Sequence, residues 1–147
     1  MMHQGGGMFS LYTEKRKAAL IEDVIDNLPS AIIAVDSDTS IVLSNKAAEL
    51  FSGKTKMQLT GLRGGVAFDC IHVHDSPGGC GYGEACKECV IRNTVEKTIV
   101  SGENFSNIEA PMEFVGAGVR ILSCSTTWLT VSGIVIVALT DITDMKR

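Results

Sequence analysis

Two stretches of the chain carry apolar residues at the spacing of an amphipathic helix. The first lies within residues 13–29 and is stopped by Pro29, and the second begins at Val90 and is stopped by Gly102. The apolar positions are Leu20, Ile21, Val24, Ile25 and Leu28 in the first stretch, and Val90, Ile91, Val95 and Ile99 in the second. Each stretch therefore predicts a helix that turns one face toward an apolar partner.

Five other runs have the composition of β-strands and are separated by turn residues. They are residues 31–36, 41–45, 105–114, 119–129 and 133–143. The last run is the most hydrophobic, which is typical of a strand at the centre of a sheet. Between the second and third runs, a helix capped by Ser44 or Asn45 is predicted to end at Gly53, and a shorter helix is predicted to follow it.

The length of 147 residues predicts one domain. Residues 1–12 have no periodicity and are predicted to be a disordered leader. Residues 13–29 form the predicted N-terminal helix, and residues 30–147 form the predicted main domain.

Composition excludes several classes of function. A net charge of −4 argues against a nucleic-acid groove, which needs a clustered basic face. The longest apolar run, residues 134–139, is far shorter than the ~18 residues that a membrane span needs. No signal peptide is visible, and five cysteines, four of them clustered, fit a reducing compartment, so a cytoplasmic location is expected. Paired catalytic carboxylates, a P-loop and a nucleophile elbow are all missing from the sequence, so no enzymatic activity is expected.

Two stretches of the sequence resemble the two ends of a PAS domain. The stretch "DNLPSAIIAVDSDTSIVLSNKAAELFSG" is similar to the opening hairpin and first helix of that family, with Asp36 at the hairpin turn and Asn45 at the helix start. The stretch "GIVIVALTDITDMKR" is similar to the closing strand, and it contains Asp141 and Thr143 as relay or strand-end residues. The resemblance covers about residues 18–147.

The resemblance implies an α+β fold, in which a five-stranded antiparallel sheet carries its helices on one face. It also implies a pocket between the sheet and the long helix, and a sensory, non-catalytic role beside a downstream kinase, cyclase or transcription effector. The N-terminal helix would then form a homodimer, although its apolar stripe could equally pack on its own sheet.

Four of the five cysteines lie in a cysteine-rich segment, residues 70–89. Their spacing is C-x9-C-x5-C-x2-C, and the last pair is predicted to lie at the start of the second long helix, where both sulfurs would share one face. These four thiols predict a metal site formed by Cys70, Cys80, Cys86 and Cys89. An iron–sulfur cluster is the preferred occupant because it suits a sensor, and zinc or no metal are the alternatives.

Other interpretations of the same segment stay open. His72 or His74, in a run predicted to be extended, could replace Cys70 as a ligand. A reversible disulfide could join Cys86 to either Cys89 or Cys80, or the thiols could be unpartnered. The remaining cysteine, Cys124, is predicted to be a small core residue.

Three functions compete on these grounds. The first is a sensor of redox state, oxygen or a small ligand that acts through the cysteine-rich segment. The second is a module for dimerisation and for binding an apolar or carboxylate ligand, with structural cysteines. The third, a thiol oxidoreductase, is disfavoured because its CxxC motif should follow a strand in a βαβ unit. Haem and LOV-type flavin binding are also disfavoured, since residues 90–102 contain no histidine and no Asn-Cys-Arg motif is present.

Overall fold

A computed structural model describes residues 13–146 in full and residues 2–12 through their backbone alone. Met1 and Arg147, and the side chains of residues 2–12, lie outside this description. The backbone of residues 2–12 belongs to the first helix given below, and the leader predicted over residues 1–12 stays a prediction.

The five predicted strands form one antiparallel sheet in the order β2-β1-β5-β4-β3. Their bounds are β1 Ala31–Val35, β2 Ile41–Ser44, β3 Phe105–Phe114, β4 Gly118–Leu129 and β5 Ile134–Asp141. The predicted α+β fold and the central place of the last strand are confirmed. The entry to β1 and the exit from β5 are neighbours, since Ala31 pairs with Leu139 and the Ser30 and Thr140 hydroxyls lie 2.6 Å apart.

Five α-helices accompany the sheet within the described residues. They are α1 Met2–Asp26, α2 Lys46–Ser52, α3 Lys56–Leu59, α4 Gly64–Ala67 and α5 Val90–Ser101. The sequence did not predict α4, nor the short 3₁₀ turns Ile71–His74, Glu84–Glu88 and Thr143–Lys146. None of the described helices combines the length and the apolarity needed to cross a bilayer.

Helix α5 lies across β3, β4 and β5 and closes one side of the core. Val95 is buried on its inner face, and the buried hydroxyl of Thr98 lies 2.7 Å from the hydroxyl of Thr126 on β4. A fully buried threonine pair in an apolar layer fixes how the helix sits on the sheet, because each hydroxyl needs its partner.

The C-terminal end of helix α1 is joined to the sheet domain by polar contacts. The fully buried Asn45 caps α2 by accepting from the Ala48 N–H at 3.0 Å, which selects Asn45 over Ser44 as the predicted cap. The Asn45 side-chain amide also donates to the Ile25 carbonyl at 2.8 Å. One ion pair adds to this junction, since Lys56 Nζ lies 2.7 Å from an Asp26 carboxylate oxygen.

The apolar stripe of α1 is not covered by the sheet of its own chain. Leu20, Ile21 and Val24 have exposures of 60%, 58% and 50%. Of the two expectations for this stripe, packing against the domain's own sheet is therefore not seen, and pairing with a second copy stays a prediction.

Candidate thiol and ligand site

The four cysteines of the predicted metal site all line one cavity. The cavity has a volume of about 210 Å³ and lies between the sheet and α5. Cys70, Cys80, Cys86 and Cys89 contribute to its wall, although they lie up to 19 positions apart in the sequence. The four cysteines therefore face one cavity inside the domain, although other residues of the segment, such as Ile71 and Tyr82, are exposed.

Short turns bring the thiols to this wall. Cys70 follows α4, where its N–H donates to the Gly65 carbonyl at 2.8 Å, and it forms an isolated bridge with Phe114 at the end of β3. Cys86 lies in the 3₁₀ turn Glu84–Glu88, and Cys89 is the N-cap of α5. The prediction that Cys86 and Cys89 share the face of one helix is wrong, because the chain turns between them.

Two of the cysteine sulfurs accept hydrogen bonds from backbone N–H groups. The Gly65 nitrogen lies 3.2 Å from Cys80 Sγ, and the Arg92 nitrogen lies 3.5 Å from Cys89 Sγ. Donors of this kind support the negative charge that a deprotonated or metal-bound sulfur carries. They therefore favour a chemical role for these thiols over that of passive loop residues.

Burial opposes the same deprotonation at two of the cysteines. Burial raises the pKa of Cys70 and of Cys89 above that of an ordinary thiol, and the neighbouring cysteines raise both further. The backbone N–H groups of His72 and Arg92 act in the opposite direction. Cys70 and Cys89 are therefore held as neutral thiols near neutral pH unless a cation or an oxidant removes the proton.

The two histidines of the segment do not stand in an extended run. They lie in the 3₁₀ turn Ile71–His74, so the predicted alternation is wrong. The ring of His72 borders the cavity, and its Nδ1 lies 2.7 Å from an Asp75 carboxylate oxygen. His74 contributes to a separate, shallow depression instead.

A set of four thiols fits the ligand chemistry of zinc or of an iron–sulfur cluster. As the side chains stand, the described part of the chain contains no group of three or more metal-ligating residues ready to hold an ion. All five cysteines are free thiols. The metal site therefore stays a prediction.

The rest of the cavity wall is mostly apolar. Its inner part is formed by side chains of the sheet, of α5 and of an aromatic group in which Phe51 lies edge-on to Phe68 and Phe114, at 5.3 and 5.7 Å between ring centres. Arg92 also lies on the wall, and its guanidinium is 2.8 Å from Glu96. Sequence reasoning did not single out Arg92, because nothing in its spacing distinguishes it from a solvated helix residue.

Cys124 lies apart from the wall, fully buried in β4, as expected of a core residue. Burial is the largest cause that raises its pKa to about 11, and the nearby Cys89 adds to the shift. Cys124 therefore provides a reference thiol close to the cavity that does not line it.

Comparison with known proteins rests on solved structures, since no family model and no curated protein matches the chain. The PAS domain of nitrogen regulation protein NR(II) from Vibrio parahaemolyticus is 14% identical, with a TM-score of 0.60 over 84% of this chain and 98% of that one. A PAS domain from Colwellia psychrerythraea is 18% identical, with a TM-score of 0.59 over 92% and 99%.

A third similar structure contains a ligand. The PAS domain of the RpfR quorum-sensing receptor from Cronobacter turicensis, in complex with BDSF, is 20% identical, with a TM-score of 0.53 over 81% of this chain and 99% of that one. Identities this low establish a shared fold and nothing finer. Together with the strand order and the helix across the sheet, these likenesses show that the chain has the PAS fold.

Proposed function

We propose that this chain is a non-catalytic sensory domain of a signalling protein, and that its input site is the four-cysteine cavity. The input is redox state, oxygen or a small ligand, read through an iron–sulfur cluster or another thiol-bound metal. The observation that carries this proposal is the convergence of Cys70, Cys80, Cys86 and Cys89 on one cavity beneath α5. The PAS domain of a two-component sensor histidine kinase, similar in fold, supports the signalling role and a downstream effector.

The contacts around α5 offer a route from this site to the sheet. Cys89 is a wall thiol and also the cap of α5, so a change at its sulfur alters the first turn of that helix. The Thr98–Thr126 pair joins α5 to β4, and β4 pairs with β5 along its length. The signal then reaches the end of β5, where the chain leaves the sheet.

The end of β5 is held by a compact polar group. Arg120 on β4 forms an ion pair with Asp141 at 2.8 Å. Thr143 donates to Asp141 and accepts from the Ile121 N–H at 2.9 Å. These residues hold the end of the strand in place by their contacts. In the proposed function, the signal passes through them.

Oxygen-free purification tests this proposal. We expect iron and sulfide to co-purify with the chain, together with a visible absorption band that air bleaches. Cys80→Ala should lose both, whereas the matched change Cys124→Ala, at the reference thiol, should keep them. Colourless protein with neither iron nor zinc under these conditions would remove the metal-based input.

A second function is favoured by the apolar cavity wall. In this case the cavity binds a small apolar carboxylic acid, with Arg92 facing the carboxylate, and the cysteines are structural or form a reversible disulfide. Similar structures of the RpfR domain hold BDSF and C12:0, which supports this alternative. Native mass spectrometry of the purified chain should then detect an organic adduct that Arg92→Gln weakens and that Cys80→Ala retains.

A further inference from the structure

Gly65 lies closer to Cys80 than any other residue type would allow. A Cβ atom at position 65 would stand 2.7 Å from Cys80 Sγ, 3.0 Å from Cys80 Cβ and 3.5 Å from Cys70 Cβ. The first distance is shorter than van der Waals contact, so a side chain here would displace the Cys80 sulfur. The absence of a side chain lets the Gly65 N–H approach that sulfur to 3.2 Å.

Helix geometry does not explain this glycine. Gly64 is its neighbour in the same helix, α4, and a Cβ at Gly64 would meet nothing within 4 Å. Neither glycine has the left-handed backbone that would by itself require glycine. The two positions therefore differ in one respect that matters, namely the contact of Gly65 with the cysteine wall.

One further hydrogen bond holds Cys80 against α4. Its carbonyl accepts from Arg63 Nη1 at 3.2 Å, directly before the helix. The flanking Gly79 and Gly81 have positive φ angles of 84° and 95°, which set the loop conformation that turns Cys80 inward. The Arg63 side chain and the turns at Gly79 and Gly81 thus hold the backbone of Cys80, while its sulfur lies against Gly65 on the cavity wall.

We propose that Gly65 is a positioning residue that places the Cys80 sulfur on the cavity wall as a ligand for a soft, thiol-binding metal. This inference rests on the proposed function, in which Cys80 is a metal ligand. The Gly65 N–H and the missing Cβ act through Cys80 and not on the metal itself. Partners that orient a metal ligand typically contribute 10- to 100-fold in metal affinity, roughly, and we expect a loss of this size without Gly65.

Cobalt(II) is a suitable probe, because sulfur-to-cobalt charge-transfer absorption reports bound thiolates directly. The whole chain would be reduced and titrated with cobalt(II) under argon as the unsubstituted protein and as Gly65→Ala, Gly64→Ala and Cys80→Ala. We expect Gly64→Ala to titrate like the unsubstituted chain. Gly65→Ala should bind at least about ten-fold more weakly and with a weaker charge-transfer band, close to Cys80→Ala.

The outcomes separate the two proposals. If Gly65→Ala titrates like Gly64→Ala while Cys80→Ala loses the band, the inference about Gly65 is wrong and the metal site stands. If Cys80→Ala retains the full band, or the unsubstituted chain binds no cobalt, both proposals are overturned. Circular dichroism melting identifies loss of fold, and Gly65→Ser, which adds the same Cβ, must then reproduce the weaker binding in a folded chain for the inference to survive.

Discussion

The hydroxyl of Thr98 on α5 lies 2.7 Å from the hydroxyl of Thr126 on β4, and both side chains are buried. Thr98 also donates to the Thr94 carbonyl within its own helix, at 3.1 Å, so Thr126 is left to donate to Thr98. The helix over the cavity is thereby joined to the sheet by one directional contact within an otherwise apolar layer.

Replacing Thr98 by valine should destabilise the domain by about 1–3 kcal/mol, because the Thr126 hydroxyl becomes a buried donor without a partner. Urea unfolding followed by circular dichroism measures this change. The double variant Thr98→Val/Thr126→Val should recover much of the loss, since it removes both polar groups. A double variant whose loss of stability exceeds the summed losses of the two single variants would contradict the proposed pairing.

The role of Cys89 as the N-cap of α5 should be separable from the role of its thiol. Serine at position 89 preserves an N-cap acceptor, whereas alanine removes it, so Cys89→Ser should be more stable than Cys89→Ala by about 1 kcal/mol. Both variants should lose metal-dependent absorption, because both lack the sulfur. Thermal melting and an oxygen-free metal assay on the two proteins check these expectations, and equal melting of the two would refute the capping role.

The exposed stripe of α1 should mediate pairing between two copies of the chain. Leu20→Asp introduces a charge into that stripe and should convert a dimer into a monomer in sedimentation velocity. Ala19→Asp is the matched control, since residue 19 lies on the opposite side of the helix and is also exposed. The unsubstituted chain sedimenting as a monomer at high concentration would exclude pairing through α1.

Asp141 should make the domain acid-sensitive. Burial acts to raise its pKa, but hydrogen bonds from Thr143 and the Arg120 ion pair outweigh burial and hold the pKa below the ordinary value of 3.8. A carboxylate whose folded pKa is lowered contributes stability above its unfolded pKa, and this contribution is lost as the pH falls through the folded pKa. Asp141→Asn removes that contribution.

Urea midpoints measured between neutral pH and about pH 2 test this sign. The unsubstituted chain should exceed Asp141→Asn in stability near neutral pH, and the difference should shrink below about pH 4. A difference that grows on acidification would show that the folded pKa of Asp141 is raised and not lowered.

The strands were predictable from β-rich runs between turn residues, and the long helices from the helical spacing of their apolar residues. The bounds of β3 match residue by residue, and the cap of α2 was predicted to be Ser44 or Asn45, of which the structure selects Asn45. Such features depend on neighbours within a few positions, which a single sequence records directly.

The sequence indicated which cysteines belong to the cavity wall, but it did not indicate how they are arranged there. The clustered thiols marked Cys70 to Cys89 as a site, but the turns between them have no periodicity. The Gly65–Cys80 contact joins residues 15 positions apart through irregular backbone. Nothing in the sequence distinguishes Gly65 from Gly64, since only the packed structure shows which of them has space for a side chain.

Strands β1 and β5 are neighbours in the sheet, and the chain enters the first where it leaves the second. The two attachment points are therefore separated by little more than one interstrand spacing, about 5 Å. A domain with this geometry, when it lies within a longer polypeptide, adds little to the distance between the segments on its two sides. Such a domain can be gained, lost or duplicated between other domains while their spacing stays nearly unchanged.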